Sequence, residues 1–482
     1  MSTKDYLVNG YLPTIGIECH VQFNTKTKLF TGVLNDAKDA LPNSLIGPLC
    51  VGLPGTLPVL NEAAVEKAIR AGIALNAKIA EFTKFDRKHY FYPDLPLGYQ
   101  ISQFDKPIVL DGEIPIVVNG QKTSVRIERA HLEADAGKLT HPVGKDYSLI
   151  DYNRAGTPLL EIVSRPDMHS AAEAKAYAQE LYLRMLYAGV SDCDLFHGNI
   201  RFDVNVSVSK DPATLGTRTE TKNLNSFRNV ERAVAFEIER QIDQIEKGQV
   251  IVQETRGWDD TKQKTFSQRS KENAHDYRYM PDPDIPPLEI DRKLVEEIAK
   301  NMPAGPSEIR QVLSGAGLNH DTIETILDYP EAAKYLLQVA DQHDQKTLNT
   351  IANWITGEIL RLVKENRFDF ARLGDSAQNL VKLASMYDAS QLSSTAAKEL
   401  IEPIINDNQD PQSLAEARNL LQVSDESELI LAVEQVIAEN PKAVADAQAD
   451  PKAIGFLVGQ VMKATGGKAN PKVVSDILRE HI

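Results

Sequence analysis

The chain has 482 residues, 42% hydrophobic and 25% charged, with a formal net charge of −15 at pH 7. That length asks for roughly two to four well-cored domains, and the acidity excludes a generic nucleic-acid coat, which needs clustered Lys and Arg, while allowing a local basic patch. Cys19, Cys50 and Cys193 are far apart and never spaced as CxxC. This excludes a disulfide framework and a zinc knuckle, and it fits a reducing compartment. The N-terminal stretch MSTKDYLVNG lacks an apolar signal core, and no run approaches the roughly twenty apolar residues of a membrane span. The expectation is a cytoplasmic protein with no membrane contact.

Residues 1 to about 290 mix strand-like runs with few helices, an α+β texture. The apolar run from Ile15 to Gln22 predicts a buried strand that carries Glu18 and His20 two residues apart. Ile114 to Lys122 followed by Ser124 to Ile127 predicts a hairpin around Asn119-Gly120, a favoured tight-turn pair. From Val125 to Asp167, Gly137, Pro142, Gly144, Gly156 and Pro158 break the chain into short strands and loops. If residues 130 to 136 run extended, His131, Glu133 and Asp135 share a face. A solvated polar row gives the same pattern. The second carboxylate–imidazole pair upstream favours a site, because such groups on core strands are costly unless paired or bound to a metal.

Helical spacing follows between Ala171 and Ala188. Strict alternation then returns from Ile200 to Val208, with Arg201, Asp203, Asn205 and Ser207 on one face. That face suits either solvent or a nucleotide with its metal. From about residue 293 the texture is helical to the end. Leu348, Ile351, Ala352, Ile355, Ile359 and Leu362 form an apolar stripe, and Trp354 beside it reads as core rather than as a stacking platform. Residues 406–450 hold ten Asp or Glu against Arg418 and Lys442, whereas the last stretch holds Lys452, Lys463, Lys468, Lys472 and Arg479 against Asp476 and Glu480. Its Gly466-Gly467 turn leads to a helix with Asn470 as cap and Pro471 in the first turn. Such a helix start can hold phosphate, or it can be a plain loop.

The Gly-Lys pairs at Gly137, Gly144 and Gly467 have Leu132, Leu139 and Met462 five positions earlier, so none is a P-loop, and no dinucleotide fingerprint is present. Any ATP must therefore be held by another device. Carboxylates with a histidine suit Mg²⁺, or Mn²⁺, bridging phosphates during phosphoryl transfer.

Longer motifs carry a resemblance. They are Gly16-Ile17-Glu18-Cys19-His20-Val21-Gln22, Tyr90 to Pro96 with Gly98 to Gln103, His131-Leu132-Glu133 with Asp135 to Lys138, Asp151 to Gly156 with Pro158 to Val163, Lys222 to Phe227, and Arg269 to Glu272 with Asp276 to Tyr279. Nearly end to end, the chain resembles the B subunit of the bacterial aspartyl/glutamyl-tRNA(Asn/Gln) amidotransferase. The resemblance implies a heterotrimeric enzyme in which the other two chains are an amidase subunit and a small third subunit. It implies that this chain binds misacylated tRNA and ATP and phosphorylates the side-chain carboxylate, with ammonia arriving from glutamine hydrolysed on the amidase. Its metal and activation site is then similar to Glu18, His20, Glu133, Glu161 and Asp203, and the ammonia entrance to Lys88 and Glu133. Charge alone nominates Arg154 and Arg201 for phosphate. The implied fold is α+β: a cradle over 1–292, a helical domain over 293–405 and a helical tail over 406–482 that grips tRNA, with Lys463, Lys468 and Lys472 as phosphate partners. Many relatives hold zinc with two Cys pairs. Here Leu29 to Leu53 keeps only Cys50, so no zinc is expected.

Two other readings join the same ingredients. A synthetase would release pyrophosphate rather than phosphate, and a tRNA-binding scaffold with its chemistry in a partner would have no use for carboxylates on buried strands.

Overall fold

Alternating Ile15, Ile17, Cys19 and Val21 make β1 (Leu12–Gln22) a strand with one fully buried edge of side chains and one polar edge. The computed structural model describes residues 3–270, 276–422, 426–449, 453–465, 469 and 471–482. The chain divides into two units, Met1–Pro306 and Ser307–Ile482.

In the first unit β1 is followed by α1 (Glu62–Ala74), β2 (Lys78–Ile79), β3 (Phe82–Thr83), β4 (Asp86–His89) and β5 (Tyr99–Ser102). Then come β6 (Val109–Val118), β7 (Gln121–Ala134), β8 (Lys138–Thr140), β9 (Leu149–Asp151), β10 (Pro158–Ser164), α2 (Ala171–Tyr187) and β11 (Ile200–Ser209). The unit continues through β12 (Thr219–Leu224), α3 (Phe227–Glu246), β13 (Glu254–Asp259), β14 (Lys264–Ser270), β15 (Met280–Pro281), β16 (Leu288–Glu289) and α4 (Arg292–Lys300). A nine-stranded sheet runs in the order β14-β13-β12-β11-β1-β10-β7-β6-β2. Its pairs are antiparallel except β12 with β13.

The expected hairpin is present. Asn119 and Gly120 both take positive φ, 50° and 77°, as a two-residue turn with the twist of the flanking strands requires. One sheet face packs on helices: Ile17, Cys19, Leu132, Leu160, Phe202 and Val204 meet Tyr177 and Leu181 of α2 and Val230 and Val234 of α3 in one core. Burying each such side chain contributes about 1.5–3 kcal/mol. Ser170 and Ser226 cap α2 and α3 by accepting the N–H groups of Glu173 and Asn229.

A bulge decides which β7 residues leave the core. Register with β10 shifts between Val163, opposite Arg129, and Ser164, opposite Ile127. Val125 and Ile127 point inward before Glu128, and Ala130 and Leu132 after it. His131 and Glu133 therefore sit on the face away from the helices.

The second unit is helical: α5 (Pro306–Gly315), α6 (His320–Leu327), α7 (Pro330–Gln342), α8 (Gln345–Trp354), α9 (Leu360–Lys364), α10 (Ala377–Asp388) and α11 (Ser394–Asp407), then α12 (Pro411–Ala417), α13 (Glu426–Glu439), α14 (Pro441–Ala449), α15 (Ile454–Ala464) and α16 (Pro471–His481). The stripe from Leu348 to Leu362 is buried, and Trp354 is core, tilted against Tyr387. Leu429, Val433, Leu457, Val461, Val474 and Leu478 share a cluster among α13, α15 and α16.

Candidate active site

The strand registers build the site in rows on the open face of the sheet. In the central row His131 stands opposite Glu161, Glu161 opposite His20, and His20 opposite Arg201. The row toward the start of β1 is Arg129, Val163, Glu18 and Asp203. The row toward its end is Glu133, Leu159 and Gln22. Period-two alternation on four adjacent strands is what brings residues separated by more than a hundred positions onto one patch.

His20 Nε2 lies 3.5 Å and His131 Nε2 3.7 Å from Glu161 Oε2, and His131 Nε2 is 3.8 Å from Glu133 Oε2. Ligand atoms of His20, Glu133 and Glu161 all fall within 4.8 Å of one another. Burial opposes charge on Glu161, yet His131 and His20 hold its carboxyl well below the usual range. Burial likewise works against the His20 imidazolium, and Glu161 outweighs it, so its pKa is raised. Lys88 extends from β4 with its ammonium 5.0 Å from the Tyr277 ring centre. Burial disfavours that ammonium, but Glu133 and Glu161 push its pKa up.

Glu133 Oε2, His20 Nδ1 and His131 Nδ1 are buried without a hydrogen-bond partner. A buried carboxylate oxygen left unpaired is costly. With the His20 imidazole and the Glu161 carboxylate it completes a three-residue donor set that a divalent cation satisfies, with His131 alongside, so the residues present fit a metal.

Two residues expected among the ligands lie one row away with partners of their own. Glu18 accepts a hydrogen bond from Asn205 Nδ2 at 3.0 Å, and burial raises its pKa, with Glu161 adding to the rise. Asp203 accepts from Lys222 Nζ and from the Asn223 N–H, both at 2.8 Å, and Lys222 keeps it below the usual range against the cost of burial. Asp135 departs from the expected extended row. β7 ends at Ala134, and the Asp135 carboxylate turns to Gln22 Nε2 at 2.8 Å, Arg201 at 3.5 Å and Arg154 at 3.6 Å. The two arginines therefore converge on one carboxylate, and Arg154 also donates to the carbonyls of Ala136 and Gly137.

A cleft of about 540 Å³ opens beside the Glu18 row, lined by Thr14, Gly16, Glu18, Asn205, Ser207 and Arg218. In the second unit Lys463 and Lys472 are exposed, while Lys468 lies outside the described residues. Sequence reasoning did not single out Lys222, Tyr277 or Tyr279. All three stand in motifs that carried the resemblance, but only the fold shows what they face. His131 was found by spacing and is absent from the set the resemblance implied.

The GatB/GatE catalytic domain model matches residues 13–296, and a GatB domain model matches residues 334–482. The chain is 43% identical over 478 residues to the B subunit of the aspartyl/glutamyl-tRNA(Asn/Gln) amidotransferase of Caldicellulosiruptor saccharolyticus, covering 98% of this chain and 99% of that one. Proteins with the same description from Thermoanaerobacter sp. and Herpetosiphon aurantiacus are 45% and 44% identical over 475 and 478 residues, each covering 98% of this chain and 99% of the relative.

Proposed function

The chain belongs to the family of aspartyl/glutamyl-tRNA(Asn/Gln) amidotransferase B subunits, and we propose that its open sheet face activates the side-chain carboxylate of Asp-tRNA(Asn) or Glu-tRNA(Gln) for amidation. It is one chain of a multi-subunit, glutamine-dependent carbon–nitrogen ligase of an ATP-dependent family. No helix among the described residues is long and apolar enough to cross a membrane. A cytoplasmic location follows from the role in translation.

A free carboxylate has no leaving group. Its oxygen attacks the γ-phosphorus of ATP to give an acyl phosphate and ADP, and ammonia then displaces phosphate at the carbonyl carbon. Of the five groups the resemblance implied, His20, Glu133 and Glu161 are assigned to hold Mg²⁺, with Mn²⁺ as the alternative that a histidine ligand favours, while Glu18 and Asp203 stand one row away on Asn205 and Lys222 and border that site. When bound, such a cation neutralises charge on the transferring phosphoryl group. Arg154 and Arg201 supply further cationic contact to phosphate. The cleft beside Glu18 is of a size to take the nucleotide. Lys88 and Glu133 meet the incoming ammonia, the carboxylate accepting the proton that nitrogen loses on attack.

The observation that carries this reading is Glu133 Oε2, buried and without a hydrogen-bond partner beside His20, His131 and Glu161. Ammonia must come from elsewhere: Cys19, Cys50 and Cys193 are all buried, and burial pushes the thiols of Cys19 and Cys193 up, away from nucleophilic thiolate. The family resemblance supplies the partners of this reading, an amidase and a small third chain in a heterotrimer. Residues 1–292 form the activating cradle, 293–405 a helical domain and 406–482 the tRNA-gripping tail. Reconstitution with both partners, followed by assay on both misacylated tRNAs, tests the reading. Release of ADP and phosphate with amide formation is expected, and release of pyrophosphate would overturn it.

A further inference from the structure

Two of the sequence motifs meet where no role has yet been assigned. Phe104 directly follows the Gly98 to Gln103 motif, and Tyr279 ends the Asp276 to Tyr279 motif. Their rings stack with centroids 4.1 Å apart and planes 12° from parallel. One face of Phe104 is covered by Tyr279, yet the residue is 55% exposed, so its other face is open.

The platform is held firmly. The Phe104 N–H donates to Asp86 Oδ2 at 3.0 Å, and Lys84 bridges Asp86 and Asp105 at 2.7 Å each. Asp86 lies on β4, the strand that carries Lys88, and β15 fixes the chain after Tyr279 to that same strand through Pro281 opposite Asp86. From Tyr279 the contacts continue inward: its ring centre lies 6.2 Å from that of Tyr277, and Lys88 Nζ stands 5.0 Å from the Tyr277 ring centre. Burial raises the pKa of the Tyr279 phenol, and Lys88, Glu161 and Glu133 act on it electrostatically. The aromatic run thus leads from the solvent to Lys88, the residue whose ammonium faces Glu133 electrostatically. The 540 Å³ cleft lies along β1 on the other side of the His20 row, at Thr14, Gly16 and Glu18.

We propose that the open face of Phe104 is the seat for the terminal adenine of the aminoacyl-tRNA acceptor end. This rests on the carboxylate-activation reading above. An unpaired terminal base has free π-faces, and aromatic side chains bind such bases by stacking. The amino acid is esterified to the ribose of that same nucleotide, so a base seated on Phe104 directs its acyl side chain past Tyr279 toward Glu133. ATP approaches from the opposite cleft. An exposed platform suits a strand whose remainder must leave for the body of the tRNA.

The test uses the reconstituted complex with the Phe104→Ala and Phe104→Trp substitutions, measuring KM and kcat for misacylated tRNA and KM for ATP. Phe104→Ala is expected to raise the tRNA KM about ten-fold, the loss of one base–aromatic stack. Its kcat and its KM for ATP should stay near the parent values, since uniform binding energy appears in KM, and Phe104→Trp should retain the parent tRNA KM. A misacylated tRNA whose terminal base is removed while its ribose is kept should erase the difference between parent and Phe104→Ala. An unchanged tRNA KM, a penalty falling on ATP, or an equal penalty on the abasic substrate would each overturn the proposal. Failure of the parent complex to amidate at all would instead strike the activation reading.

Discussion

At the residue scale, the proposed chemistry rests on one carboxylate oxygen. Glu133 Oε2 is desolvated without a hydrogen-bond partner and shares a 4.8 Å neighbourhood with His20 and Glu161. Glu133→Gln keeps the shape and removes the charge. Amidation of misacylated tRNA is expected to fall about 100-fold or more, while glutamine hydrolysis by the amidase partner continues; near-normal amide yield would remove Glu133 from the machinery. His20 is proposed to contribute one imidazole to the metal and is largely buried, away from where a tRNA backbone would lie. His20→Ala should therefore slow phosphate release by a larger factor than it weakens tRNA retention in filter binding, and the reverse order would show that His20 is not a ligand.

At the element scale, α3 is clamped to the far strands of the sheet through a single buried acid. Glu237 accepts hydrogen bonds from Thr219 at 2.7 Å, from Arg240 Nε at 2.9 Å and Nη2 at 2.7 Å, and from Thr265, with Arg256 Nε at 3.0 Å. Burial opposes its charge, but Arg240, Thr265 and Thr219 hold the carboxyl below its ordinary value. A depressed folded-state pKa contributes stability that is complete above the unfolded value and is lost as pH falls through the folded one. Glu237→Gln should cost about 1.5–3 kcal/mol at neutral pH, because it removes the charged acceptor from half-buried Arg240 and from buried Arg256, which keeps Glu254. It should also flatten the decline of stability below about pH 4.5, near the unfolded carboxylate pKa. Denaturant midpoints measured from pH 3 to pH 7 would check both, and parallel acid limbs for parent and variant would contradict the clamp.

At the scale of the whole molecule, an acidic chain must hold a polyanion. The basic end of the sequence is the part proposed to do so, and it does not stand apart from its surroundings: Leu457, Val461, Val474 and Leu478 share a core with Leu429 and Val433. Removing everything after Pro451 would expose that core, so charge substitution is the cleaner experiment. Replacing Lys463 and Lys472 by Ala should raise the tRNA concentration for half-maximal rate with little change in the saturated rate. Each lost phosphate contact should also flatten the dependence of log affinity on log salt by roughly one unit of slope or slightly less. An unchanged slope would show that tRNA is held elsewhere.

Much of this was legible in the chain itself. Period-two patterning gave the strands that carry Glu18 with His20 and Arg201 with Asp203, Asn119-Gly120 gave the hairpin, and apolar spacing gave α2 and the stripe from Leu348 to Leu362, because burial on one face leaves its period in the sequence. Motifs alone were enough for the family. Sequence could not order the strands. The placement of β10 between β1 and β7 sets Glu161 between His20 and His131, and that is a matter of long-range pairing with no local signal. Nor could strict alternation reveal the bulge at Glu128, beyond which His131 and Glu133 take the open face, or the end of β7 that turns Asp135 toward two arginines. Local propensity fixes where side chains alternate, whereas which of them meet is decided by register, and register is set by the packing of the whole sheet against its helices.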